Sequence, residues 1–168
     1  MSILQSQLMY DQIFIVRSVL EVIRAEVRRA GRVETGGAMV GYEAHSNSLV
    51  VTHASGPGPK SELNPTNVLI DGQYAHSFCT RIFHDSGGRL DYVGDWHRHL
   101  GWSLRASGRD LQAMLTIEES RCCSVKYPVS AIYRFRPEHM VAYVLQNHRL
   151  KRVPLKWLDA APRGQSVP

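Results

Sequence analysis

Cysteine is scarce in this chain, and the three present, Cys79, Cys122 and Cys123, are an odd number with two of them adjacent. They make no even disulfide framework, which argues against a small disulfide-stapled secreted domain and for a reducing compartment. The Cys122-Cys123 pair, near the end of an expected helix, reads as buried packing rather than as ligand or nucleophile. No stretch approaches the length of about 18 apolar residues that a membrane span needs. The N-terminus also lacks a charged head, apolar core and small-residue cleavage site in succession. Neither a membrane partner nor an export signal is expected, and the cytoplasm is the expected location. Internal repeats and low-complexity segments are absent too.

Acidic charge is the minority: 20 Lys and Arg stand against 15 Asp and Glu, a net charge of +5. Arg24, Arg28, Arg29 and Arg32 are interspersed with Glu21 and Glu26 and read as a solvated helix face, while His148-Arg149-Leu150-Lys151-Arg152 is a second basic run. No aromatic residues interleave with either patch, so nucleic acid is not the expected partner. A basic nucleic-acid or protein-binding module without hydrolysis is the alternative from another class. A positive surface reads better as steering an acidic protein partner toward a cleft.

With 168 residues, 43% of them hydrophobic, the chain can bury one core. One domain is expected over residues 1–159, followed by a loose tail over 160–168, where apolar periodicity is lost. Gln5 to Asp11 reads as an opening strand. From Ile13 to Ala30, the residues Ile13, Val16, Val19, Leu20, Ile23 and Val27 recur at helical spacing. Ala38 to Glu43 and Ser48 to His53 read as two strands around the turn signal Ala44-His45-Ser46-Asn47. Residues 55–67, with Gly56, Pro57, Gly58, Pro59 and Pro65, read as a loop. Gly72 to His84 is an expected helix, Leu90 to His99 a strand and Ser107 to Cys122 a helix. Tyr127 to Phe135 and His139 to Gln146 form an expected hairpin about Arg136-Pro137-Glu138. These elements add up to the α/β class: a single domain with a mixed β-sheet flanked by helices.

The run from Gly94 to Asp110 contains His97-Arg98-His99, then Ser107, then Asp110. Alternate residues of a strand point to one side, so His97 and His99 can present two imidazoles to one ion, with Asp110 adding an oxygen from the next element. Three protein ligands leave a fourth position open for water, as in a hydrolytic rather than a structural zinc site. Ser107-x-x-Asp110, followed by Leu111, Met114, Leu115 and Ile117, also reads as a helix capping box, and the two readings are compatible. Trp96, on the strand face opposite His97, reads as core. His45, His53, His76, His84, His139 and His148 have no ligand-spaced partner.

Upstream stands Glu34-Thr35-Gly36-Gly37, followed by an apolar strand. Together with Trp96-His97-Arg98-His99, Ser107 and Asp110, it resembles the JAB/MPN (JAMM) family of zinc peptidases and isopeptidases, which remove ubiquitin or ubiquitin-like proteins from conjugates. The resemblance covers about residues 6–153. It implies a cytidine-deaminase-like architecture with one zinc per chain on His97, His99 and Asp110. In the implied roles Glu34 takes a proton from the water and passes it to the leaving amine, and Ser107 stabilises the oxyanion. Leu100 stands where the family usually has Pro, and Arg98 where Ser or Thr is usual. These departures bear on the local turn and the substrate contacts.

The Glu-Thr-Gly-Gly start, Ser55-Gly56-Pro57-Gly58-Pro59 and Gly94-Asp95-Trp96-His97 look like the compact prokaryotic branch. That likeness implies deconjugation or processing of a ubiquitin-like modifier, beside activating and conjugating enzymes and including antiphage pathways. Processing of a sulfur-carrier protein is the alternative within the same chemistry. Arg98, Trp102 and residues 55–67 are the expected grip on an extended modifier tail, with a plain connector as the alternative reading of 55–67. Trp102, between His99 and Ser107, is either a wall of the cleft or a packing residue.

Overall fold

Ile13, Phe14, Ile15 and Val16 are all buried, on both faces of the first strand, β1 (Gln12–Val16). Helix α1 (Arg17–Ala30) follows at once and buries Val19, Leu20, Ile23 and Val27. The reading that ran the helix from Ile13 is corrected here. Ile13 and Val16 mimic a helical repeat, but a β-branched and aromatic run with two apolar faces is satisfied by a strand covered on both sides. The computed structural model describes residues 10–45, 47–120 and 125–162. Most of the expected strand over Gln5 to Asp11 lies outside those residues, as do Cys122, Cys123 and residues 163–168. Tyr10 and Asp11 themselves are not in a strand.

The remaining elements are β2 (Gly36–Ala44), β3 (Ser48–Ala54), β4 (Glu62–Asn64), β5 (Asn67–Leu69), α2 (Gly72–Asp85), β6 (Asp91–Arg98), α3 (Gly108–Ser120), β7 (Val129–Arg134), β8 (His139–Gln146), β9 (Arg149–Val153) and β10 (Leu155–Leu158). Eight strands form one mixed sheet in the order β10-β1-β3-β2-β6-β7-β8-β9. β1 runs parallel to both of its neighbours, β6 runs parallel to β7, and the other pairs are antiparallel.

Strand alternation divides the sheet into two covered faces. Ile13, Ile15, Met39, Trp96, Val129, Ala131 and Ala142 share one core with the apolar stripe of α1. On the other face Ala38 and Val40 pack against Cys79 and Ile82 of α2. His97, at the opposite parity from Trp96, therefore faces away from α1.

Two stretches differ from the sequence reading. The expected loop over 55–67 contains β4 and runs into β5, a two-stranded hairpin of its own. Its approach is tied down by the buried Asp71, whose carboxylate accepts from the amides of Lys60 and Tyr74 while its own amide donates to Pro57. The basic run at Arg149–Arg152 is an edge strand, reached through Asn147 and His148 at positive φ, and β10 then crosses to the far edge beside β1. Charged side chains on an edge discourage pairing with other chains.

Candidate metal centre

Thr35-Gly36-Gly37 crosses the middle of the sheet where neighbouring strands leave no room for a side chain. A Cβ on Gly37 would sit 2.0 Å from the carbonyl oxygen of Ser55, and one on Gly36 would sit 2.5 Å from that of Trp96. The two glycines let β2 lie against β6 with Gly36 opposite His97, so Glu34 is delivered to the end of the strand that carries the histidines. The amide of Glu34 donates to Asn64 at 2.8 Å, and Thr35, fully buried, donates its hydroxyl to Glu26 of α1 at 3.1 Å. Trp96 anchors the other side with its indole N–H on the Ser55 carbonyl at 2.9 Å.

His97, His99 and Asp110 bring one ligand atom each to within 4.8 Å of one another. The Nε2 atoms of the two histidines are 3.0 Å apart. Asp110 Oδ1 is 3.0 Å from His97 Nε2, and its Oδ2 is 3.7 Å from His99 Nε2. All three side chains are less than one-fifth exposed. The edges of a tetrahedron of ligands around zinc are about 3.3 Å long for bonds of about 2.0–2.1 Å, so these separations fit such an ion. His99 Nδ1 lies 3.1 Å from the Ser103 carbonyl oxygen, which can only accept. Nδ1 therefore carries a proton, and a metal would take the place of any proton on Nε2.

Asp110 is held by the first turn of α3. The Ser107 amide donates to its Oδ2, and its own amide donates to Ser107 Oγ at 3.2 Å. The capping box is thus formed while the outer oxygen remains turned to the histidines. Burial works against ionisation of Asp110, but hydrogen bonds from His97 and His99 outweigh it and hold the carboxyl well below the usual range. The same contact raises His99.

These groups line a cleft of about 430 Å³, floored by β6 and walled by α3 and the β4–β5 hairpin, with Glu34, Val68, Ile70, Arg109 and Met114 among its lining. Arg109 donates to the Thr66 carbonyl at 3.0 Å, joining the start of α3 to the hairpin turn. Burial raises the Glu34 carboxyl above 4.5, while His99 and His97 pull it down. The arrangement combines a nitrogen and oxygen ligand set, a partly desolvated carboxylate and a hydroxyl in one cleft.

Of the residues expected from sequence, Glu34, His97, His99, Ser107 and Asp110 share this cleft. Arg98 lies elsewhere: its guanidinium donates to the Gly31 carbonyl at 2.7 Å, at the end of α1, because its strand parity is opposite to that of the histidines. Trp102 is 79% exposed and is not a lining residue, although Gly101 and Ser103 are. Asp95 was missed. It lines the cleft, and burial raises its carboxyl to about 6. Its position two residues before His97 on the strand was the available signal.

The chain is similar in sequence to several curated proteins and in fold to a solved structure. The chain is 28% identical over 132 residues to the "Probable metalloprotease y4qB" of Sinorhizobium fredii, covering 78% of this chain and 80% of that protein. It is 30% identical over 121 residues to a CD-NTase/cGAS isopeptidase of Enterobacter hormaechei, covering 71% of this chain and 66% of that one. With a protein of the same name from Escherichia coli it shares 35% identity over 66 residues, or 39% and 42% of the two chains. The matches thus span less than two thirds of either isopeptidase. The solution structure of protein DSY2949 from Desulfitobacterium hafniense superposes with a TM-score of 0.66 at 13% identity, covering 88% of this chain and 93% of that one, a likeness of fold. No protein-family model matches the chain. Among the described residues, no helix is long and apolar enough to cross a membrane.

Proposed function

We propose that this chain is a zinc-dependent peptidase or isopeptidase of the JAB/MPN type that cuts a ubiquitin-like modifier from its conjugate or processes the modifier's tail. The observation that carries the reading is the convergence of His97, His99 and Asp110 in one cleft with Glu34. Similarity to proteins named metalloprotease and isopeptidase supports hydrolysis of a peptide or isopeptide bond. The CD-NTase/cGAS name of two relatives favours an antiphage pathway, with activating and conjugating enzymes as companions.

Zinc on the three ligands would supply Lewis-acid polarisation and a nucleophilic water near neutral pH. Glu34, partly desolvated, accepts the proton of the attacking water and returns it to the leaving amine. Ser107 offers its hydroxyl to the oxygen that gains charge in the transition state. The apolar wall of Val68, Ile70 and Met114 excludes water and receives an extended tail laid beside β5, where main-chain hydrogen bonds provide affinity. Trp102, exposed at the neighbouring loop, is available to the body of the modifier.

The test is Glu34→Gln assayed on a fusion of a ubiquitin-like protein. The variant is expected to keep one zinc per chain and to lose roughly two to four orders of magnitude in rate. Cleavage at the wild-type rate would refute the proposed role.

A further inference from the structure

We propose that Arg98, between the two metal-type histidines, is a positioning residue that holds Glu34 in register with them by gripping the end of α1. The inference rests on the reading of Glu34 as the proton-handling group.

The contacts surround Glu34 on both sides. The Arg98 Nη1 donates to the Gly31 carbonyl at 2.7 Å and to that of Val27 at 3.3 Å, and stands 3.5 Å from that of Val33. Its backbone amide donates to the Thr35 carbonyl at 2.8 Å. One residue therefore contacts the chain just before Glu34 through its side chain and just after it through its backbone. α1 ends at Gly31, whose φ of 67° turns the chain out of the helix and leaves the last carbonyls in need of donors. A cation there satisfies them and also meets the negative end of the helix.

The link is directional. His97 and His99 face the cleft and Arg98 faces α1, so a single three-residue segment fixes the ligands on one side of the sheet and the approach of Glu34 on the other. A small hydroxyl residue at position 98 would be too short to span this gap, and the segment would be left with the Gly31 amide on the Val27 carbonyl, the Glu34 amide on the Asn64 carbonyl and the Thr35 carbonyl on the backbone of residue 98. A displacement of about 1 Å between a catalytic group and its target costs on the order of a hundredfold in rate.

A helix cap that merely stabilises the fold would give a different result, so the experiment reads local order and catalysis separately. Arg98→Ala and Arg98→Lys would be made in the full chain and checked for zinc content. Amide exchange would be followed at Glu34 and Thr35 against His97 and Ile132, which pair across β6 and β7. Hydrolysis of the ubiquitin-like fusion would be measured with kcat and KM resolved, with and without millimolar guanidinium ion.

In Arg98→Ala, zinc content should be unchanged and the Glu34 amide should exchange roughly tenfold faster or more, with β6 and β7 unaffected. Its kcat should fall about 10- to 100-fold at nearly constant KM, with partial rescue by guanidinium. Arg98→Lys, which keeps the charge on a shorter reach, should fall between and covers the case in which the alanine variant does not fold. Unchanged exchange at Glu34, or faster exchange spread evenly over β6 and β7 with kcat intact, would overturn the proposal. If the wild-type protein cleaves no conjugate, the exchange comparison still decides whether Arg98 positions Glu34, independently of the hydrolase reading.

Discussion

Tyr143 donates its hydroxyl to the carbonyl of Leu104 at 2.8 Å, pinning to β8 the segment that joins His99 to Ser107. Arg134 of β7 holds the same segment through the Trp102 carbonyl. The two halves of the ligand set sit on different elements, and this segment sets their spacing. Tyr143→Phe removes one hydrogen bond worth about 1 kcal/mol, so zinc affinity should fall about fivefold in competition with a chromogenic chelator. Unaltered affinity would show that the segment holds its shape unaided.

His97→Ala and Asp110→Ala should each lose zinc outright at chelator concentrations the wild-type protein resists. The loss should be at least the roughly 10- to 100-fold typical of groups one step removed from a metal. Elemental analysis after gel filtration measures it, and full occupancy in either variant would refute the ligand set.

Glu34 must be ionised to accept a proton. In the metal-free protein burial favours its neutral form against the pull of His99 and His97, so its carboxyl should titrate above 4.5 in that form when followed by NMR. A value at or below 4.5 would show that the two histidines outweigh burial.

Stability toward acid has a different origin. Hydrogen bonds from Arg24 hold Glu138 at about 2, against 4.5 for a free glutamate, with Tyr133 donating to the same carboxylate at 2.6 Å. A lowered folded-state value means the contribution is present above 4.5 and is lost as pH falls toward 2. Glu138→Gln should therefore melt below the wild-type protein near neutral pH, with the difference closing as acid is added. A constant difference across that range would assign the effect to packing.

Val68 lies on the cleft wall and not among the ligands. Val68→Ser should raise KM for a modifier fusion by roughly five- to tenfold through lost apolar contact, with kcat and zinc content retained. An unchanged KM would move tail binding away from the hairpin. Replacing all of residues 57–65 with a flexible linker would disturb the fold as well as tail binding, because Asp71 ties Pro57 and Lys60 to α2.

The site was more legible in the sequence than the frame around it. His97 and His99 could be placed together because strand alternation is strict, and Asp110 because Ser107 announces a helix start three residues earlier. Arg98 was assigned to the cleft although the same alternation turns it away. Asp95 went unnoticed although alternation turns it in. Strands β4 and β5 have three residues each, too few to display a period, and their hairpin is held by Glu34 and Arg109, which lie far away in sequence. β9 hid behind Arg149, Lys151 and Arg152, charges suited to an edge but indistinguishable in sequence from a solvated patch.

β1 has a parallel partner on each side, and one of them, β10, consists of Leu155–Leu158. During synthesis the metal-type ligands, all before residue 111, leave the ribosome well ahead of the strand that covers this edge. Until β10 arrives, the Ile13–Val16 backbone is an unsatisfied template for any passing strand, and the contact that closes it spans most of the chain. Completion of the sheet is therefore a late, long-range event. A nascent chain stalled before residue 155 would carry the full ligand set on an open-edged sheet prone to association.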